Sequence, residues 1–147
     1  MRVDQPLYAM DLPGAWTLEE LEGADRWVCG ARELVVTVLR VPTGSDPDRE
    51  TMLADLANVV AQSRQAVRNF ARSPVTLDDD AIMGPEGELI SAYYTGRDEE
   101  GGEVYVAVVM TVRAIDGVSY VASLYVLAPD ARTLGPTILS TLELGPG

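Results

Sequence analysis

Carboxylate, serine, tyrosine and arginine chemistry is what remains open to this sequence of 147 residues. Its eleven positive charges are all arginine, and neither lysine nor histidine occurs anywhere in it. That excludes an imidazole general base, a histidine-activated serine or cysteine, a lysine Schiff base and a P-loop lysine. Among the acids, Asp78, Asp79 and Asp80, with Glu86 and Glu88 nearby, offer oxygens for a hard cation. Their spacing is wrong for an EF-hand, which needs alternating ligands, a central glycine and a glutamate at position twelve: here the acids are contiguous and Ala81, Ile82 and Met83 follow. A solvated acidic loop is the expectation there, and likewise for Asp98, Glu99 and Glu100 at a hairpin tip. Adjacent loop carboxylates give no reason for one pKa to rise, so acid and base work as in glycoside hydrolysis is not expected of them. No glycine-rich phosphate loop follows any predicted strand. The single cysteine, Cys29, between Val28 and Gly30, reads as a small buried hydrophobe, and a zinc site is out of reach. The expectation is therefore a protein that is not an enzyme, with no catalytic residues, no metal and no cofactor.

The remaining polar groups suit binding better. Arg64, Arg68 and Arg72 recur every four residues near the end of a predicted helix, where positive charge offsets the negative end of the helix dipole. Five of the six tyrosines fall on predicted strands in the second half of the chain, as β propensity alone would place them. Tyr93, Tyr105 and Tyr120, joined by Arg113 on the more polar face, have the composition of interface hot spots and are the candidate partner-binding residues. Trp16 and Trp27 are expected in the core. With 23 acids against eleven arginines the net charge is -12, which repels nucleic acid and anionic membranes and steers a basic protein surface toward the chain.

The elements that would position these groups follow from periodicity. A helix is predicted over residues 47–72, capped by Asp46, with Pro47 at its first position and Asp48 and Glu50 near its positive end. Met52, Leu53, Leu56, Val59, Val60, Val67 and Phe70 share one face of it. Short strands are predicted over 7–12, 26–29 and 33–41 before the helix. After an irregular acidic stretch, 78–88, a meander of three strands is predicted over 89–97, 103–115 and 118–128. Asp116-Gly117 is the signature of a type I′ turn. Pro129 opens a closing helical segment interrupted at Gly135-Pro136, its buried side being Leu134, Ile138, Leu139 and Leu142. Pairing Ile115 with Val118 assigns the faces. Ile90, Ala92, Tyr94, Val106, Val108, Met110, Val112, Val121, Tyr125 and Leu127 lie under the long helix. Ser91, Tyr93, Thr95, Tyr105, Val109, Thr111, Arg113, Tyr120 and Leu124 lie on the other face, which the closing helix covers in part.

The expected architecture is α+β: one domain over 1–147, with an antiparallel sheet of about six strands packed by a long helix and a C-terminal helix. The first twenty residues lack a secretion signal, and no apolar stretch has the length of a membrane span, so a cytoplasmic protein is expected.

A strand ending in Leu12-Pro13-Gly14-Ala15-Trp16, a hairpin, a long helix, a three-stranded meander and a closing helix together resemble the PsbP-like fold family. That family includes the extrinsic photosystem II subunit, a nuclear-transport factor that binds the Ran GTPase, and bacterial effector chaperones of type VI secretion. Its only local motif here is the Pro-Gly-x-Trp turn, and it brings no functional residues to carry over. The resemblance implies a binding protein without a catalytic site: a bacterial cytoplasmic chaperone, adaptor or immunity-type protein for a secreted effector. The alternative is a small-molecule-binding domain that uses the tyrosines and Arg113 to hold an anionic or aromatic ligand. It requires a concave, partly apolar pocket lined by those residues. A homodimer through an exposed edge of the meander is also open.

Overall fold

The computed structural model describes residues 1–42, 48–71, 73–78, 81–83 and 89–146. In chain order the elements are β1 (Arg2–Asp4), β2 (Tyr8–Asp11), β3 (Thr17–Leu21), β4 (Ala24–Cys29), β5 (Arg32–Pro42) and α1 (Arg49–Phe70). There follow β6 (Val75–Leu77), β7 (Ile82–Met83), β8 (Leu89–Asp98), β9 (Glu103–Thr111), β10 (Val118–Ala128), α2 (Ala131–Leu139) and β11 (Glu143–Leu144). The large antiparallel sheet has the order β3-β4-β5-β10-β9-β8-β6, with β7 also on the free side of β8. Helix α1 packs on one face and α2 on the other. The α+β architecture expected from the sequence is thus present, with five short strands beyond the six predicted: β1, β3, β6, β7 and β11. Two corrections concern placement. The first predicted strand leaves the large sheet and pairs as β2 between β1 and β11 in a sheet of its own. Gly14, at φ +96°, turns the chain away from it. The 78–88 stretch is also not wholly irregular, because Ile82 and Met83 pair with Tyr93 and Ala92.

Helix α1 begins later than predicted. Asp48, in extended conformation, is the cap, and its carboxylate accepts the Thr51 N–H at 2.7 Å. That hydrogen bond, with further ones from the Thr51 hydroxyl and the Glu50 N–H, holds the Asp48 carboxyl below its ordinary pKa. Asp46, Pro47 and Arg72 lie outside the described residues. At 22 residues and 1.5 Å per residue α1 is about 33 Å long. Its predicted stripe meets the predicted sheet face: Met52 and Leu56 pack on Ile90, Met110 and Val121, and Val67 packs among Val35, Tyr94, Val106 and Tyr125. One polar residue joins this stripe. Ser63 is buried and shares a 2.7 Å hydroxyl hydrogen bond with Tyr94 while donating to the Val60 carbonyl.

The hairpin from β9 to β10 carries a local irregularity. Ile115 bridges Val118 across Asp116 and Gly117, both at positive φ as a type I′ turn requires. The next ladder pair is Met110 with Val121, so four residues, 111–114, stand against two, 119–120. Two extra residues keep the alternation of side chains where one would reverse it. The register therefore slips while the predicted faces hold. Thr111 fills the gap by accepting the Tyr120 N–H on its Oγ1 at 3.1 Å.

The closing helix runs without interruption through Gly135 and Pro136, against the predicted break. Pro136 supplies no N–H. The turns on either side are nevertheless bonded, Leu134 N–H to Asp130 and Ser140 N–H to Pro136, and Ala131, Leu134, Gly135 and Ile138 are buried. Trp16 and Trp27 lie in the core beneath this side, as expected. Trp16 donates its indole N–H to the Pro13 carbonyl at 2.8 Å, closing the Pro-Gly-x-Trp turn on itself. Cys29 is half-buried against the same cluster. Among the described residues, no helix is long and apolar enough to cross a membrane.

Candidate ligand groove

The face of β8 and β9 opposite α1 alternates hydroxyl, aromatic and aliphatic side chains, because residues two apart on a strand share a face. Helix α2 lies across only part of it. Where it does, the approach is close: a Cβ on Gly135 would overlap the Tyr105 ring. Toward the far end of α2 and the segment after it the surfaces diverge, leaving a groove of about 1300 Å³. Its floor is Ser91, Tyr93, Thr95, Tyr105, Val109 and Thr111, and its opposite wall is Pro136, Leu139, Ser140 and Leu142.

Tyr93 and Tyr105 are diagonal neighbours across β8 and β9, and their rings stack with centroids 5.4 Å apart at 25°. Tyr93 is half-buried and Tyr105 buried. Burial pushes the Tyr105 hydroxyl up to about 12, with Tyr93 adding to the shift, so it stays neutral as a donor at physiological pH. Among the described residues, three charged side chains line the groove. Glu143 is held by Arg2 at 2.8 Å, and Arg132 lies 3.8 Å from Glu103, which also accepts the Arg132 backbone N–H. The third, Arg113, sits within the 111–114 irregularity, is exposed, and forms no ion pair among the described residues.

Of the four predicted site residues, the structure therefore brings Tyr93, Tyr105 and Arg113 to one groove. Tyr120 is the exception. It is 6% exposed and outside the lining, packed beneath the chain after β11, where a Cβ on Gly145 would lie 4.0 Å from its ring. The sequence puts the closing helix over part of this face but names none of its residues for the site, and the structure adds Pro136, Leu139, Ser140 and Leu142 as the wall. The other polar clusters take structural positions. The Asp98 carboxylate accepts the N–H groups of Glu100 and Gly102 and closes its turn, and Arg64 lies 4.5 Å over the Tyr94 ring and donates to the Asp78 carbonyl. Thr95 donates to the Asp78 carboxylate. Asp79, Asp80, Glu86 and Glu88 lie outside the described residues.

No protein-family model matches the chain, and no curated protein matches it. Solved structures do. LpqN of Mycobacterium tuberculosis, described as involved in cell envelope biogenesis, superposes with a TM-score of 0.54 at 20% identity, over 99% of this chain and 90% of that one. A protein from Bacteroides thetaiotaomicron gives a TM-score of 0.54 at 13% identity over 97% of this chain. This chain covers 47% of that protein, about half its length. What is shared is the fold. At such identities neither likeness carries a ligand or a partner across.

Proposed function

We propose that the chain is a non-enzymatic binding module whose groove between α2 and the sheet takes a small molecule with an apolar or aromatic body. The observation that supports this reading is the incomplete cover of the sheet: Tyr93, Tyr105 and Arg113 line a concave, largely apolar space of about 1300 Å³. Among the described residues the one lining carboxylate, Glu143, is engaged by Arg2, and the groove's hydroxyls orient a ligand. Titration with the neutral fluorophore N-phenyl-1-naphthylamine tests it. Saturable binding of one probe per chain is expected, weakened at least tenfold in Ser140→Trp, an exposed wall position where an indole fills the groove. A folded protein that binds no probe, or binds it equally well in that variant, overturns the reading.

A protein partner is the second reading, favoured by the groove's size, which exceeds the roughly 300–1000 Å³ of pockets for drug-sized ligands and has room for a peptide segment. In that reading the PsbP-like kinship holds, and the chain is a cytoplasmic chaperone, adaptor or immunity-type protein whose partner is basic, drawn by the charge of -12. A salt-sensitive basic protein that the neutral fluorophore displaces from the chain supports this reading. Cell fractionation tests the compartment.

A further inference from the structure

We propose that the groove's ligand is an aromatic monocarboxylate, or a monoanion of the same shape, and that Arg113 receives its anionic head. The proposal rests on the groove being a small-molecule site and specifies what that molecule must carry. Of the three charged side chains lining the groove, Glu143 and Arg132 are compensated by Arg2 and Glu103. Arg113 is not paired, so among the described residues the groove presents one uncompensated positive charge. Its backbone setting is a second, independent observation. Two extra residues interrupt the β9–β10 ladder at 111–114, and such bulges re-aim side chains beside binding sites. The ladder is mended by the Thr111 hydroxyl, so the irregularity is built into the hairpin rather than frayed.

The chemistry of the head and body follows. A guanidinium matches a carboxylate with two parallel hydrogen bonds. The field of a chain at -12 repels polyanions, so a nucleic acid or an anionic bilayer is disfavoured while a single negative charge with an apolar body is tolerated. The stacked Tyr93–Tyr105 pair supplies a flat wall for an aromatic body. Val109, Leu139 and Leu142 supply the apolar remainder of the groove.

The test uses two probes of one shape, 1-naphthylacetate and 1-naphthylethanol, measured by calorimetry and by displacement of the neutral fluorophore at low salt. The carboxylate is expected to bind about tenfold to a hundredfold more tightly than the alcohol, as a charge-assisted hydrogen bond allows. In Arg113→Gln that preference is lost, because affinity for the carboxylate falls about tenfold or more relative to the alcohol, and Arg113→Lys retains part of it. Arg113 is exposed, so these variants fold, as circular dichroism will show. Equal binding of both probes, or a preference that survives in Arg113→Gln, overturns the anionic head and leaves the groove reading standing. Failure of both probes and of the neutral fluorophore overturns the groove reading itself, and the proposal with it.

Discussion

Ser63 and Tyr94 meet where α1 crosses the sheet, and their hydroxyls satisfy each other in a place water does not reach. Burial pushes the Tyr94 hydroxyl up to about 12, and the Arg64 guanidinium rests 4.5 Å over its ring. Truncating one partner leaves the other buried without a hydrogen bond. Ser63→Ala is therefore expected to cost about 1–3 kcal/mol in urea unfolding. Adding Tyr94→Phe to it should cost little more, because the orphaned hydroxyl goes with it. Strictly additive losses would show that the two hydroxyls do not depend on each other. This pair also marks the limit of what residue types disclose. The apolar stripe of α1 and the inward direction of Tyr94 were both legible from periodicity. That Ser63 joins the stripe was not, since a serine counts as polar until a partner is found for it.

At the scale of elements, α2 decides how much of the sheet is open. Gly135 allows its backbone to sit on the Tyr105 ring, and that contact sets the depth of the groove beyond it. Gly135→Ala gains roughly 1 kcal/mol of helix propensity but forces a methyl into an occupied space, a strain of typically 1–3 kcal/mol. A lower urea midpoint is expected, together with a change in near-ultraviolet tyrosine circular dichroism. A more stable protein with an unchanged tyrosine signal would mean that α2 does not rest on Tyr105. The β9–β10 hairpin teaches the complementary lesson. Its turn was readable from Asp116-Gly117, and its faces survived because the irregularity adds two residues rather than one. Its register was not readable, since nothing in 111–114 distinguishes a continuous strand from one that lifts Arg113 out of the ladder.

For the whole molecule, the absence of histidine and lysine makes charge nearly constant across neutral pH. Stability is expected to be flat from about pH 6 to about pH 9, where few side chains titrate, and then to fall. The sign follows from Tyr8, Tyr94, Tyr105 and Tyr125, all raised by burial above the ordinary value near 10. A buried hydroxyl raised in the fold stabilises it fully below about pH 10, where the tyrosines are neutral in both states. That stabilisation is lost as pH rises through about 12, where Tyr94 and Tyr105 ionise in the fold. Tyrosinate absorbance followed together with circular dichroism checks this. Ionisation of all six tyrosines near pH 10 with the fold intact would contradict it. The sequence by itself determined the α+β class, the long helix and its buried stripe, the meander, the two faces of its strands and the charge, because each follows from local periodicity, turn chemistry or counting. Only the tertiary structure decided that β2 leaves the large sheet, that Tyr120 is sealed while Tyr93 and Tyr105 stack, and that α2 stops short of closing the groove over Arg113. Those outcomes depend on contacts between segments far apart in the chain, which no local pattern encodes.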